Sequence, residues 1–328
     1  MRGVKKAVCA WVLTLLLAPW LPAATRGGYI RPNYISLGEW ARANVLTVHW
    51  LERDKTVQLD GRGVHLMFNV DARSDARRAQ INGVQAWLAF PILYQNGRAL
   101  ISQIDLQETI GPVLSPPKSP RGVNIDTICI DPGHGGNDPG FQVGSNDEKK
   151  YTLLLAQEVR AQLKAAGFNV VLTRTTDVKI PLEERTIVAR KAGADLFVSL
   201  HFNATETGRN DVKGTEIFCL TPAGATSTNA RGEGDTQWVT GNRNDEKNMV
   251  LAYQMQKSYK KNLGIEDRGV KRARFQVLRE ATMPAVLIEG GFMSHPAEGR
   301  KIYDSAYRKQ MARAIVEGIQ AYKRAVKA

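Results

Sequence analysis

The chain has 328 residues, 43% of them hydrophobic, with 29 glycines and 14 prolines; this is enough for one large core and a smaller second unit, and it excludes a disordered or low-complexity polymer. The formal net charge is +13 and there are three cysteines. A disulfide-stapled miniprotein is therefore excluded, and an anionic partner is expected.

In chain order, the first 24 residues stand apart. Arg2, Lys5 and Lys6 form a basic segment ahead of an uncharged apolar run, Ala7–Leu21, the pattern of a secretory signal peptide cut near Ala23 or Ala24. An uncleaved anchor is the competing reading, but the run is short against the roughly 20 apolar residues that a span needs. Cys9 lies in the run without a lipobox ahead of it, so lipidation is not expected. Export places the protein in the periplasm or cell envelope. Removing the three charges of the signal segment from +13 leaves +10, and an anionic envelope polymer fits that surplus. Nucleic acid is not the expected partner, because the basic residues are scattered with no aromatic-interleaved patch. Membrane contact is expected only through the signal segment.

Residues 29–113 read as a small β-rich accessory module. Tyr34–Leu37 leads into a short amphipathic stretch through Trp40 and Ala43; Leu46–Leu51, Thr56–Leu59, His65–Val70, Ala79–Ile81 and Val84–Phe90 read as strands. Asn82-Gly83 and Asn96-Gly97 are hairpin-turn signals. The stretch resembles the module related to the copper amine oxidase N-terminal domain that accompanies several wall hydrolases. That resemblance implies no copper: His49 and His65 lie in separate strands without a Cys or Met partner pattern, and read as ordinary strand residues. Residues 114–124, with Pro116, Pro117 and Pro120, read as a semi-rigid linker.

From residue 125 onward, strand runs at Ile128–Ile130, Val170–Thr173, Leu196–Leu200, Glu216–Leu220, Phe275–Leu278 and Ala285–Ile288 alternate with helical patterns at Glu148–Ala166, Leu182–Ala192, Glu246–Asn262 and Tyr307–Val326. The alternation predicts an α/β fold with one mixed, mostly parallel sheet flanked by helices. The first strand run ends in Asp131-Pro132-Gly133-His134-Gly135-Gly136. It sets a histidine in a tight glycine loop at the carboxyl end of a strand, where open α/β sheets build their sites. The run Leu196–Leu200 delivers a second histidine, His201, in the same way. Glu148 falls in the first turn of a helix preceded by Ser145-Asn146-Asp147; alone, it reads as a solvated carboxylate stabilised by the helix dipole. Two imidazoles and one carboxylate are, however, a usual protein ligand set for catalytic zinc. Glu289 follows Ala285–Ile288 and precedes Gly290-Gly291. It is either a salt-bridged strand terminus or a carboxylate placed for proton transfer. Asn203 is a candidate to orient a neighbouring group or a substrate amide. Arg185 and Arg190 read as solvated or structurally paired, Cys129 and Cys219 as core residues, and Thr221–Asn244 as a mobile rim loop.

DPGHGGNDPG (Asp131–Gly140), the EKK that opens the next helix, LTRTTD (Leu172–Asp177), LEER (Leu182–Arg185), ADLFVSLHFNA (Ala194–Ala204) and PAVLIEGGFMSH (Pro284–His295) follow one another in the chain. Together they resemble the zinc-dependent N-acetylmuramoyl-L-alanine amidases of the Amidase_3 type over roughly residues 125–325. The resemblance implies that His134, Glu148 and His201 hold Zn2+ and that Glu289 is the catalytic carboxylate. It further implies an enzyme that hydrolyses the amide between N-acetylmuramic acid and the first L-alanine of the peptidoglycan stem, with water activated on zinc and Glu289 as general base. A protein activator stays open. Two departures are visible: Lys149-Lys150-Tyr151 in place of the more usual Lys-Asp, and His295 where family members often carry Asn. Neither touches an implied ligand. Two further readings stand beside this one, a zinc endopeptidase cutting within the stem or crosslink and a non-catalytic wall-binding regulator. Retention of all four implied site residues argues against the last.

Overall fold

The computed structural model describes residues 32–70, 74–229 and 236–328; the expected signal segment and the middle of the expected rim loop lie outside them. An eleven-stranded sheet organises what is described. Five strands come from the N-terminal stretch: β1 Thr47–Glu52, β2 Thr56–Gly61, β3 Val64–Asn69, β4 Arg78–Ile81 and β5 Val84–Trp87. Six come from beyond residue 125: β6 Thr127–Pro132, β7 Asn169–Leu172, β8 Leu196–Asn203, β9 Thr215–Leu220, β10 Asp267–Ala273 and β11 Ala285–Phe292. Their order across the sheet is β7-β6-β8-β11-β9-β10-β5-β4-β3-β2-β1. The strands β7, β6, β8 and β11 run parallel, and β9 turns antiparallel to β11. The sheet is therefore mixed, as the alternation of elements predicts.

The N-terminal five strands make an antiparallel meander. Between β4 and β5 both turn residues, Asn82 (φ 48°) and Gly83 (φ 77°), are left-handed; this is the paired geometry that Asn-Gly permits and that matches strand twist. The meander joins the rest of the sheet where β5 runs parallel to β10, with Ala86 opposite Val270. At the other end β1 is the sheet edge, and its register against β2 shifts between Trp50 and Glu52.

Helices cover the larger strands: α1 Glu148–Ala165, α2 Leu182–Lys191, α3 Asp245–Leu263, α4 Gln276–Arg279, α5 Pro296–Tyr303 and α6 Ser305–Val326. Alternation along each strand sorts the two faces. Val286 and Ile288 of β11, with Ile128, Val198 and Ile217, pack on Leu155 and Val159 of α1, Leu251 of α3 and Ile315 of α6. Ala285 and Leu287, on the other face, pack with Phe197 and Phe218 against Ala189 of α2 and Val277 of α4. Glu289, two residues beyond Leu287, falls on this second face. Cys129 and Cys219 are buried free thiols. Among the described residues no helix is long and apolar enough to cross a membrane.

Two expectations need correction. The run Phe275–Leu278 is not a strand; Gln276–Arg279 is the short helix α4, and the strand is β10 just before it. Its pattern is broken by Arg268, Lys271 and Arg272, which a hydrophobicity reading excludes from a buried strand. Lys271 and Arg272 are 6% and 1% exposed because Lys271 is paired with Glu216 and Arg272 donates to the carbonyls of Leu220 and Glu108. Strand β11 also runs on to Phe292, so Glu289 lies within a strand and not past its end.

Helices α3 and α6 approach closely at Gly318, where an added Cβ would lie 2.6 Å from Met255 Sδ and 3.2 Å from Met255 Cα. Alanine gains about 1 kcal/mol of helix propensity over glycine, but overpacking costs about 1–3 kcal/mol. Gly318→Ala is expected to lower stability by about 1 kcal/mol, read as a lower denaturant midpoint at unchanged m-value; a higher midpoint would show that Met255 moves aside at no cost.

Candidate active site

Strands β6 and β8 are parallel neighbours, with Leu200 opposite Pro132, so their carboxyl ends coincide. His134, two residues past Pro132, and His201 therefore emerge side by side, ring centroids 4.8 Å apart. Glu148 comes in from the first turn of α1, and Glu289 sits opposite His201 on β11. The four residues singled out in the sequence are thus brought to one end of the sheet, His134, Glu148 and His201 as a cluster and Glu289 on the next strand. Glu148 is not the solvated carboxylate its position suggests, being 4% exposed. Its Oε1 lies 3.2 Å from His134 Nε2 and 3.1 Å from His201 Nδ1 and accepts the Phe202 N–H; its Oε2 accepts the Phe141 N–H.

The chain reaches this geometry through close backbone approaches. His134 itself is left-handed, at φ 61°, a strained conformation for a residue with a side chain. A Cβ on Gly133 would lie 2.3 Å from the His201 ring, and one on Gly140 would lie 2.6 Å from Glu148 Oε2 and 2.7 Å from the His134 ring.

Two arginines hold the loop in place. Arg185, 2% exposed, pairs with Asp131 at 2.7 Å and donates to the carbonyls of Pro132 and His134. Arg174 donates to the carbonyls of Pro132, Gly133 and Lys149. Asp131 also accepts from Thr173 and Ser199. Arg185 is therefore paired and buried, whereas Arg190 is exposed.

Electrostatics follow from this packing. For His134, burial works against the charged ring, but Glu148 and Asp138 outweigh it and raise its pKa. Burial also opposes the Glu148 carboxylate, yet the two imidazoles hold it below the ordinary carboxylate range. For Glu289, burial first, and then the neighbouring carboxylates Glu148 and Glu216, push the carboxyl well above that range, with Lys271 opposing. Its Oε2 is buried and has no hydrogen-bond partner among the described residues.

Three neighbours escaped the sequence reading. Asp138 Oδ1 lies 3.0 Å from His134 Nδ1 and fixes the ring from behind, the usual role of a carboxylate behind a ligating imidazole. In a loop, its spacing of four residues from His134 carried no geometric meaning. Asp131 looked like the end of a strand. Glu216, which sits opposite Glu289, read only as the start of an apolar run. Asn203 donates to Glu216 Oε2 at 3.1 Å.

The cluster suits a divalent metal ion. Donors about 2.0–2.2 Å from a tetrahedral ion stand roughly 3.4 Å apart, close to the two imidazole-to-carboxylate distances, and all three ligand atoms lie within 4.8 Å of one another. His49 and His65, by contrast, are exposed strand residues, and His65 is bonded to Asp60.

A mixed sheet whose end gathers three residues that could hold a metal ion makes this an α/β protein with a candidate metal site. Within that class, the chain belongs to the N-acetylmuramoyl-L-alanine amidase family, whose profile matches residues 128–321, more than half of it. It is 36% identical over 231 residues to N-acetylmuramoyl-L-alanine amidase AmiC of Neisseria meningitidis, covering 63% of this chain and 55% of that protein. To LytC of Bacillus subtilis it is 35% identical over 199 residues, 61% of this chain and 36% of that one. The chain thus spans about half, and about a third, of the length of these relatives. Among solved structures it is similar to the catalytic domain of the amidase CwlV of Bacillus (Paenibacillus) polymyxa var. colistinus, with a TM-score of 0.51 and 32% identity over 62% of this chain and 99% of that one.

Because Gly133 has an ordinary backbone conformation, Gly133→Ala adds only a methyl against the His201 ring. It is expected to weaken divalent-metal affinity by about 10- to 100-fold, measured by chelator competition. Affinity equal to wild type would show that the ring has room to retreat.

Proposed function

We propose that this chain is an exported peptidoglycan hydrolase that cleaves the amide between N-acetylmuramic acid and L-alanine of the stem peptide, with zinc held by His134, Glu148 and His201 and with Glu289 as general base. The observation that carries the reading is the register of β8 and β11: it sets Glu289 beside His201 within the stretch matched by the family profile.

An amide is a weak electrophile with a poor leaving group, and a zinc ion in such a site polarises the carbonyl and brings a water molecule to a pKa near 7. The remaining work falls to the chain. Glu148, anchored by two backbone N–H groups, supplies negative charge to the site. Asp138 and the Gly133 approach hold the two imidazoles in position. Glu289 Oε2, buried and unpaired, is placed to take the proton of the attacking water. A carboxyl whose pKa lies well above the ordinary range is a stronger base than a solvated one and, once protonated, can deliver that proton to the departing amine. Glu216, bonded to Lys271 and Arg268, keeps a second negative charge beside it.

Muropeptide analysis of digested sacculi tests the reading. Intact stem peptides with a free L-alanine amino terminus are expected, and fragments cut within the stem would support an endopeptidase. Chelation is expected to abolish turnover, and zinc to restore it.

The site residues separate by phenotype. His134→Ala and His201→Ala are expected to lose bound metal and turnover together, since two protein ligands remain. Glu289→Gln is expected to keep its metal and lose turnover by about 10²- to 10⁴-fold, the usual worth of a placed general base. Metal per protein and initial rate on sacculi decide it: a Glu289→Gln protein near wild-type rate removes Glu289 from the mechanism, and one without metal makes it a ligand.

The surplus of +10 left by a removed signal segment should draw the protein to anionic wall polymer through a screened attraction. Raising salt from about 0.15 M, where the screening length is about 8 Å, to about 1 M, where it is about 3 Å, is expected to release it from sacculi in a pelleting assay. Retention independent of salt would rule this attraction out.

A further inference from the structure

At the outer end of the large sheet, β1 leaves a gap against the helix Leu37–Ala43 and the strand Arg98–Ser102. The gap is a cavity of about 210 Å³. Leu37, Val57 and Ala99, all buried, give it an apolar base, and the exposed indole of Trp50 stands at its wall. Tyr94 meets that indole edge-on, with ring centroids 5.8 Å apart and planes at 87°, and so braces it. Three charged side chains join the lining. Arg98 and Glu39 pair at 3.3 Å and cancel. Arg42, exposed on the last turn of the helix, has no ion pair or side-chain hydrogen bond among the described residues. One positive charge is left over beside the indole.

Size and chemistry select the ligand. Sites for drug-sized molecules measure about 300–1,000 Å³, so this cavity has room for little more than one ring. An apolar base, an aromatic wall and a few polar groups at the rim suit a pyranose, whose C–H face covers an indole while its hydroxyl and acetamido groups face Glu39 and Arg98. The unpaired guanidinium adds a requirement for a carboxylate, which it holds through two parallel N–H groups. Cleavage by an amidase makes such a sugar. Hydrolysis adds water across the muramoyl amide, leaving a free amine on L-alanine and a carboxylate on the lactyl group of the ring. In the uncut strand the same lactyl group is an uncharged amide that carries a peptide, too bulky for a one-ring cavity. The cavity is also remote from the chemistry. Seven strand spacings separate β11 from β1, roughly 34 Å along the sheet, so a ring held there is not the one being cut.

We propose that the cavity at Trp50 binds a peptide-free N-acetylmuramic acid residue of the glycan strand, with its ring on Trp50 and its lactyl carboxylate on Arg42. This rests on the amidase reading, because that reaction produces the ligand. The enzyme thereby stays on glycan that it has already stripped, through residues that lie outside the stretch matching the family.

Calorimetric titration with three oligosaccharides tests the site: a peptide-free peptidoglycan tetrasaccharide, its lactyl methyl ester, and chitotetraose, which has no lactyl groups. Wild type is expected to bind the first about tenfold more tightly than the other two, the worth of one charged hydrogen-bonded contact. Trp50→Ala is expected to weaken all three, and Arg42→Glu to abolish the preference. Both variants are expected to keep wild-type turnover on a soluble monomeric muropeptide, which is too short to reach the cavity, and thermal unfolding checks that they are folded. Equal affinity of wild type for the three sugars, or a preference unaltered in Arg42→Glu, overturns the proposal. So does turnover that falls in step with affinity, which would place the binding at the catalytic end, or tighter binding of poly(glycerol phosphate) than of the tetrasaccharide, which would make a phosphate polymer the occupant. Failure of the amidase reading looks different: the prepared tetrasaccharide would still bind through Arg42, while sacculi released no L-alanine terminus.

Discussion

A carboxylate buried at the end of a sheet is the constraint from which the rest of this site follows. Taking Glu148 out of water costs several kcal/mol unless its lone pairs are satisfied, and four groups satisfy them: two imidazoles and the N–H groups of Phe141 and Phe202. Those partners come from two strand ends and a loop. Bringing them within hydrogen-bond distance leaves no room for side chains at Gly133 and Gly140. The glycine-rich loop is therefore a packing requirement of the carboxylate.

An irregular loop that is also buried leaves backbone carbonyls without ladder partners, and such groups need donors. Here they come from Arg174 and Arg185, whose guanidinium groups reach the carbonyls of Pro132, Gly133, His134, Lys149, Thr176 and Ile180. Asp131 compensates the charge of Arg185. Removing either member would strand a buried charge, a change that ordinarily costs about 3–5 kcal/mol. The pair thus ties the conformation of the His134 loop to the stability of the sheet beneath it.

Much of this was legible from residue types. The runs that became β6, β8 and β11 are largely apolar, those of β6 and β11 are bounded by Gly or Pro, and each delivers its polar residue at or near the strand end. The Asn-Gly pair between β4 and β5 announces its turn because few other dipeptides tolerate two left-handed residues. Strand β10 was not legible, since Arg268, Lys271 and Arg272 look solvent-bound until Glu216 and the Leu220 carbonyl are placed beside them in space. The same holds for Asp138 and Asp131, whose partners are set by loop geometry or by a distant arginine. The pairing of Ala86 with Val270 had no local signal either, because a single bridge between strands more than 180 residues apart leaves no periodicity in the chain.

The edge strand β1 has a consequence for how the protein behaves in company. It ends an eleven-stranded sheet with Trp50 and Leu51 exposed, 38% and 57%, and an edge of that kind is a template on which another chain can pair and start to aggregate. The register shift between Trp50 and Glu52 interrupts the ladder at that point, and the Glu52–Lys55 ion pair places charge at its tip. A second molecule approaching this edge finds hydrogen-bonding groups in step for only a few residues, which keeps the sheet finite even where the protein is crowded.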